Sequence, residues 1–416
     1  MKKLFNLYYF VVCFCLLNTG SSSWGNDNVD QYLPKDTQLS RHILLDSLKK
    51  HPHNNICTSP YALSLAWAFL LDSPLDSKAK EEVEHLIPID EITNSSPEND
   101  KDDFHHLKKL FEQLWTKKPS CNKGGTKHEA AIALHLSDEI SLCENYKDSI
   151  NSLNESANPF GIFYGKKGKV RAKEFFRQNG QNKVASALEE DIIAKEARII
   201  VSTTFNDEWK KKFMLGNTAD GQFHCNKHKS VPTKFMKACD FNTEIINDRE
   251  LLAFRKSFYN ASMDFFMPRG GQTMESFLEN KLCESITKLN QADAEADINY
   301  VTSLELPKFS IGYEGILKDT FKAAGIRKVF DGSSGSFQDM FNHKYVYLDE
   351  ITLASRVSID EDGAEAGAVG FFNVLGHDGE HPVRKGHEIK FDSPFAWVIH
   401  NGDHTFYSGI VNDASE

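Results

Sequence analysis

The stretch of sequence that decides the fold lies near the end of the chain: IDEDGAEAGAVGFFNVLGHDGEHPVRKGHE, residues 359–388. Its first half alternates with the period of two that is typical of a β-strand, but most side chains of one parity are small. That parity comprises Ala364, Ala366, Ala368, Gly370, Phe372 and Val374. A flexible Gly/Ala linker would not show such parity. The pattern predicts a strand with small side chains on one face, followed by a polar, exposed loop.

The N-terminus has the layout of a secretory signal peptide. Two lysines precede an apolar run from Leu4 to Leu17, and small residues follow. The alternative is a membrane anchor, but the run is shorter than the ~20 residues that span a bilayer. We predict cleavage between Gly20 and Gly25, a signal peptide at residues 1–24, and a secreted, extracellular protein that keeps no membrane attachment.

Glycosylation and cysteine content are both relevant to a secreted chain. Asn94, Asn154 and Asn260 begin N-x-[ST] triplets and are candidates for glycosylation. The cysteines that follow the signal peptide are too sparse for a disulfide scaffold. Cys225 and Cys239 could bridge two neighbouring strands, with free or buried thiols as the alternative.

Composition limits the class of protein. The chain has 416 residues, a net charge of −11 and 40% hydrophobic residues, which suffices for a large core. An acidic chain is a poor partner for nucleic acid, because phosphate binding needs a basic face. No repeat or low-complexity linker divides the sequence. We therefore predict a single α+β domain over residues 25–416.

Local patterns predict helices that alternate with strands. Residues 36–50, 102–118 and 170–188 are predicted helices. Residues 56–73 contain the helix-start signal Ser59-Pro60 and are apolar around the whole circumference, which predicts a buried helix. Residues 197–205 form a β-branched run, typical of a strand buried on both faces.

Several blocks, read in order, resemble the serpin family from about residue 36 to residue 413. These blocks are NICTSPYALSLAWAF (55–69), TTFNDEWKKKF (203–213), LPKFSI (306–311), LKDTFKAAGIRKVF (317–330), SIDEDGAEAGA (358–368), SPFAWVIH (393–400) and FYSGIVN (406–412). The resemblance implies about nine helices around three β-sheets, with an exposed reactive-centre loop at about residues 361–388. It also implies a monomer that is not an enzyme and needs no cofactor.

The resemblance further implies inhibition by a suicide mechanism. The loop is bait for a serine protease, or less commonly a cysteine protease, which forms an acyl-enzyme. The cleaved loop then inserts into the central sheet and distorts the protease before water can release it. The implied hinge of this loop comprises Glu361, Gly363, Ala364, Glu365, Ala366, Gly367 and Ala368.

The scissile bond has three candidates. In the family it lies about fifteen residues after the hinge glycine, which gives His377-Asp378 and a tether of roughly 45 Å from Ala364. Arg384 would suit a trypsin-like protease, but its tether of about 66 Å is too slack to hold the enzyme. Leu375 would suit a chymotrypsin-like protease and shortens the tether by two residues. We favour His377-Asp378.

The sequence departs from the family beneath the point where the sheet opens. Relatives have a polar cluster there, of which Ser59 is kept, whereas Ala62, Val201 and Leu353 occupy the other positions. The exposed loop is also longer than usual. Both features leave open an alternative function, that of a non-inhibitory carrier or chaperone-like binding protein.

Three groups of histidines could be read as binding sites. The loop group is His377, Asp378, Glu380, His381 and His387, and the second group is His224, Cys225 and His228. Neither matches a known ligand spacing, so we predict no metal site. The third group is His105, His106, Lys108 and Lys109, in a region where some family members bind heparin. Interleaved acidic residues predict a solvated helix face instead.

Overall fold

The computed structural model describes residues 35–87, 89, 104–115, 127–155, 160–178, 197–292, 300–343, 345–364, 386–402 and 404–415. Nine α-helices lie in these ranges. They are α1 (Lys35–Lys50), α2 (Pro60–Asp72), α3 (Ser77–Leu86), α4 (His105–Trp115), α5 (Glu144–Glu155), α6 (Gly165–Gln178), α7 (Met274–Asn280), α8 (Leu282–Gln291) and α9 (Lys318–Ala324).

The same ranges contain seventeen strands. They are β1 (Ile56–Thr58), β2 (Lys127–Leu136), β3 (Phe160–Tyr164), β4 (Ala197–Glu208), β5 (Ala219–Asn226), β6 (Lys229–Ala238), β7 (Phe241–Asn242), β8 (Ile245–Asn247), β9 (Leu251–Ser257), β10 (Ser262–Pro268), β11 (Tyr300–Pro307), β12 (Phe309–Ile316), β13 (Leu348–Ile359), β14 (Gly363–Ala364), β15 (His387–Lys390), β16 (Phe395–His400) and β17 (Thr405–Val411).

The strands form three sheets. The main sheet has six strands in the order β12-β13-β14-β4-β2-β3. A second six-stranded sheet has the order β1-β17-β16-β10-β9-β8, and a five-stranded sheet contains β15-β11-β6-β5 with β7 paired to β11. The helices and all three sheets contribute residues to one large hydrophobic core. The predicted α+β class with three sheets is confirmed.

Helix α2 is the buried helix that the sequence predicts. Ser59 is its N-cap and accepts a hydrogen bond from the N–H of Ala62 at 3.2 Å, and Pro60 occupies the first turn. Every residue from Pro60 to Leu71 is buried, and the helix packs against both β4 and β17. It therefore connects the main sheet to the second sheet.

Helix α6 differs from its predicted bounds. It begins at Gly165, five residues before the predicted start, because its first turn carries lysines and no apolar residue that would mark a periodic face. Its buried face packs on β2 and β4 through Phe176, which contacts a cluster containing Ala131 and Ile200. The predicted residues beyond Gln178 lie outside the described part of the chain.

The possible disulfide between Cys225 and Cys239 does not form, and the alternative of free thiols is correct. Cys225 lies at the hairpin end of β5, where His224 pairs with Ser230, whereas Cys239 follows the far end of β6. The extended length of β6 separates the two ends by roughly 30 Å. A disulfide requires α-carbons within about 7 Å, so both thiols are free.

Candidate functional site

The main sheet opens between its two central strands, β4 and β13. These strands run parallel and pair from Leu348 and Ala197 as far as Ala354 and Ser202. Beyond Ala354, the described residues of β13 have no pairing with β4. The two strands therefore separate toward the end of the sheet where β4 reaches Glu208.

The short strand β14 occupies the mouth of this opening. Ala364 pairs with Ile359 of β13 on one side and with Asp207 of β4 on the other, and Gly363 pairs with Glu208. All of these pairings are antiparallel. Ala364 is 1% exposed and belongs to the main core cluster. The first two residues of the predicted insertion segment therefore already form part of the sheet.

A tight turn connects β13 to β14. The N–H of Asp360 donates to the carbonyl of Gly363 at 3.0 Å. The Asp360 carboxylate accepts from the N–H groups of Asp362 at 2.9 Å and of Gly363 at 3.2 Å. Burial raises the pKa of Asp360, although these two N–H donors oppose the shift. The turn reverses the chain within four residues and directs it into the opening.

Glu361 anchors the turn to the rest of the protein. Its carboxylate accepts from Lys308 Nζ at 2.6 Å and from the Thr218 hydroxyl at 2.6 Å. The Glu361 side chain is 5% exposed. Burial alone would raise the pKa of Glu361, but the Lys308 and Thr218 donors outweigh it, so its pKa lies below the usual value. The carbonyl of Glu361 also accepts from the N–H of Phe213 at 3.0 Å.

Trp209 holds the other side of the turn. Its indole N–H donates to the carbonyl of Asp360 and its backbone N–H to that of Asp362, both at 2.9 Å. The ring stacks on Phe258 with 3.9 Å between centroids. Lys212 adds an ion pair to Asp362 at 3.0 Å. The hinge is thus fixed by backbone and side-chain bonds from the end of β4.

A buried lysine lies next to this anchor. Lys256 Nζ donates to the carbonyl of Lys211 at 2.8 Å and lies over the rings of Phe213 at 4.4 Å and Trp209 at 5.2 Å. Burial lowers the pKa of Lys256 to about 7, and the charge of Lys211 adds to the shift. The same aromatic residues that bind the hinge backbone therefore surround a cation in a weakly solvating environment.

A polar cluster lies beneath the opening, close to the apolar residues that the sequence places there. Thr203, the first residue of β4 beyond the parallel pairing, bonds to the Ser59 hydroxyl at 3.0 Å and to the Tyr407 hydroxyl at 2.8 Å. Ser59 also donates to the carbonyl of Phe406 at 2.8 Å. Across the opening, Ser355 of β13 donates to the carbonyl of Cys57 at 2.9 Å.

The cluster lies beside three residues that the sequence identifies as apolar. Ala62, Val201 and Leu353 are indeed buried apolar residues. Thr203 and Ser355 lie two residues further along β4 and β13, and residues two apart face the same side of a strand. Thr203 and Ser355 were not predicted as part of a polar cluster. Their positions, two residues after Val201 and Leu353, were nevertheless visible in the sequence.

Most other predicted site residues fall outside the described ranges. These are Glu365, Ala366, Gly367, Ala368, Leu375, His377, Asp378, Glu380, His381, Arg384 and Asn94. Asn154 lies in the last turn of α5, and Asn260 lies between β9 and β10, where its N–H donates to Asp207 at 2.9 Å.

By their described residues, the three histidine groups lie in different parts of the fold. His387 lies in β15 and bonds to Asn247 at 3.1 Å, and His224 bonds to Ser230 at 2.8 Å. His105 and His106 are not the solvated face that we predict from the sequence. Both are partly buried and point at Asp72.

The family model described as "Serpin (serine protease inhibitor)" matches residues 35–412. This chain belongs to the serpin family. Among curated relatives, this serpin is 26% identical over 363 residues to a serine protease inhibitor of Rattus norvegicus, covering 85% of this chain and 82% of the relative. It is 23% identical over 375 residues to Serpin B3 of Homo sapiens, covering 86% and 92%.

Solved structures share the fold of this serpin. Human glycosylated kallistatin superposes with a TM-score of 0.73 at 17% identity, covering 92% of this chain and 98% of the other. Human thyroxine-binding globulin in complex with its ligand superposes with a TM-score of 0.71 at 18% identity, with the same coverage. Among the described helices of this serpin, none combines the length and apolar character needed to cross a membrane.

Proposed function

We propose that this serpin is a secreted inhibitor of a serine protease, or of a cysteine protease, that acts by inserting its cleaved reactive-centre loop into the main sheet. The observation that carries the proposal is β14. Gly363 and Ala364 already occupy the mouth of an opening between β4 and β13. The chain that follows is therefore aligned to continue into the sheet once cleavage frees it.

The register of β14 supports the choice of scissile bond. In an antiparallel pair, each step forward along the loop is one step back along β13. Since Ala364 lies opposite Ile359, continued pairing would bring Leu375 opposite Leu348, the first residue of β13. His377 would lie just beyond the strand, and Arg384 nine residues beyond it. A protease attached at His377 would thus be carried the full length of the sheet.

Side-chain parity supports insertion as well. Ala364 faces the core, so Ala366, Ala368 and Gly370 would face it too. By the same register, Gly370 would lie between the buried side chains of Val201 and Leu353. Glycine suits this position because the side chains of Val201 and Leu353 already fill the core around it. The apolar substitutions in this chain are therefore compatible with an inserting strand.

A second candidate function is that of a non-inhibitory carrier or chaperone-like binding protein. The segment between β14 and β15, residues 365–386, is long enough that cleavage near its end would leave a slack tether. Thyroxine-binding globulin, which is similar to this serpin in fold, is a binding protein, as its name states.

The test of the proposed function is incubation of the mature protein with a panel of serine and cysteine proteases. Inhibition predicts an adduct that survives SDS, together with a released C-terminal peptide that begins at Asp378. A peptide that begins at Gly376 would assign the bond to Leu375 instead. Complete cleavage by every protease that cuts the loop, without any adduct, would favour the carrier function.

Two matched hinge variants separate insertion from mere binding. In Ala364→Arg a charged side chain would have to be buried between β4 and β13, which is costly without a partner. We expect this variant to be cleaved as a substrate without adduct. Glu365→Arg places the same charge on the opposite parity and should retain adduct formation. If both variants formed the adduct, or if neither did, the result would contradict insertion along this face.

The remaining features of the secreted protein are proposed with it. We expect signal cleavage before residue 25, glycans on Asn94, Asn154 and Asn260, and a monomer in solution. Mass spectrometry of the secreted protein, before and after enzymatic removal of N-glycans, measures the first two. Light scattering measures the third.

A further inference from the structure

Two adjacent histidines at the start of α4 direct ring nitrogens at one buried carboxylate. His106 Nδ1 lies 2.6 Å from Asp72 Oδ1, and His105 Nδ1 lies 3.5 Å from the same oxygen. The two imidazole rings are 3.7 Å apart between centroids. Asp72 is the last residue of α2, so the cluster joins the ends of two helices.

The backbone around the cluster is fixed in a way that brings these side chains together. Phe104, just before α4, is buried and has a φ of +60°, a conformation that is rare for a residue other than glycine. The second carboxylate oxygen of Asp72 accepts from the N–H of Leu107 at 2.9 Å. This bond orients the carboxylate and leaves Oδ1 as the oxygen that both histidines approach.

The three donors fit a divalent transition metal. Two imidazole nitrogens and one carboxylate oxygen, all within 4.8 Å of one another, are a ligand set that Zn²⁺ uses in proteins. Ligand atoms at about 2.0–2.1 Å from a tetrahedral zinc ion are separated by about 3.3 Å. The observed separations of 2.6 Å and 3.5 Å lie on either side of that value. Small side-chain shifts would therefore admit the ion.

The three side chains of the cluster differ in exposure, and the more exposed ones leave a path for an ion from solution. The Asp72 side chain is 1% exposed, whereas His106 is 12% and His105 is 22% exposed. The carboxylate is thus shielded while the histidine side stays open to water, which can supply the remaining ligand. We propose that Asp72, His105 and His106 form a Zn²⁺ site that links the end of α2 to the start of α4.

The proposal is independent of protease inhibition and is tested on the full mature chain freed of metal by a chelator. Calorimetric titration with Zn²⁺ at neutral pH should show one saturable site. Co²⁺ in its place should give the visible absorption bands of a tetrahedral complex. Affinity should fall at least tenfold on lowering the pH to 5.5, because protons compete for the imidazole nitrogens. A titration without a saturable site would overturn the proposal.

The variants assign the site to these residues. His105→Gln and His106→Gln should each weaken Zn²⁺ binding at least tenfold, and the double variant should abolish it. The control is His53→Gln, an exposed histidine after α1, which should bind as the wild type does. A melting transition in each metal-free variant reports that it has folded. Zn²⁺ should raise the melting temperature of the wild type and of the control, but not that of the site variants. Unchanged binding in a folded double variant would place the metal elsewhere and refute the site.

Discussion

A side chain on Gly363 would collide with the backbone of Asp207. A Cβ built on Gly363 lies 2.2 Å from the Asp207 carbonyl oxygen, whereas real Cβ contacts stay beyond 3.0 Å. The hinge can therefore occupy the opening between β4 and β13 only because this position carries hydrogen alone. Close approach of two backbones, rather than an unusual φ, is what requires glycine here.

The variant Gly363→Ala should displace β14 from the sheet. We expect the free energy of unfolding to fall by about 1–3 kcal/mol, the usual cost of overpacking. The amide of Trp209, which donates to Asp362, should exchange faster with deuterium. Gly216→Ala is the control, because nothing lies within 4 Å of a Cβ at that position. Unchanged exchange at Trp209 in Gly363→Ala would contradict the packing argument.

Removal of the Glu361 charge should weaken the hinge in a pH-dependent manner. The pKa of Glu361 is lowered in the folded state, so its contribution to stability is present above the unfolded pKa, about 4.3, and is lost as pH falls through the folded value. Glu361→Gln should therefore cost about 1–3 kcal/mol at pH 7 and less near pH 3.

Urea unfolding at several pH values measures the effect of Glu361→Gln. Glu284→Gln serves as the control, since Glu284 pairs with Lys288 on an exposed helix face at 2.6 Å. Exposed pairs contribute less than about 1 kcal/mol. A loss in Glu361→Gln that is no larger than in this control would argue against a buried anchor.

The polar cluster beneath the opening should behave as a unit. Thr203→Val keeps the shape of the side chain but leaves the hydroxyls of Ser59 and Tyr407 without this partner, which we expect to cost about 1–3 kcal/mol. Adding Tyr407→Phe should cost less than the sum of the two single changes. Thr287→Val, in a half-buried position of α8, is the control. Strict additivity would indicate that the Thr203 and Tyr407 hydroxyls are not energetically coupled.

Lys256 should make stability rise with pH in the alkaline range. Its pKa is about 7 in the folded state, against an unfolded value near 10.5, so the unfolded chain binds the extra proton between these limits. The free energy of unfolding should gain up to about 1.4 kcal/mol per pH unit from this group between pH 7 and 10.

The variant Lys256→Met isolates that contribution. Met keeps an apolar stem among the aromatic rings and removes the buried charge, so the variant should be more stable than the wild type at pH 7. The difference should shrink toward pH 10. Lys288→Met, on an exposed face, should leave the slope of the wild type unchanged. Parallel curves for Lys256→Met and the wild type would show that Lys256 does not titrate in this range.

The sequence was sufficient to predict features that are set by residues close together in the chain. The Ser59-Pro60 signal marks the start of α2, and the period-two pattern places Ala364 on the core side of a strand. For these two features the relevant interactions lie within a few residues along the chain, so a pattern can report them. The three-sheet fold, in which Ile56 pairs with Ile410, was implied instead by the resemblance of the ordered blocks to the serpin family.

Contacts between distant residues could not be predicted in the same way. Thr203 and Tyr407 are 204 residues apart, and the bond from Lys308 to Glu361 spans 53 residues. His105 and His106 looked solvent-facing because acidic residues surround them in sequence. In the structure both rings approach Asp72, and the residue before them, Phe104, has a left-handed backbone. Nothing in the local pattern indicates a φ of this kind at a phenylalanine.

The turn between Asp360 and Gly363 also fixes the direction in which the following chain can pair with the sheet. Strands β4 and β13 point the same way, so a chain that leaves β13 through this reversal must run against both neighbours. If β14 lengthened, it would replace the six parallel residue pairs between β4 and β13. It would instead pair antiparallel with each of these two strands. The described sheet thus holds fewer inter-strand bonds than its own topology permits. Under the proposed insertion mechanism, the intact molecule would persist because β4 separates slowly from β13, which is kinetic control rather than a global energy minimum.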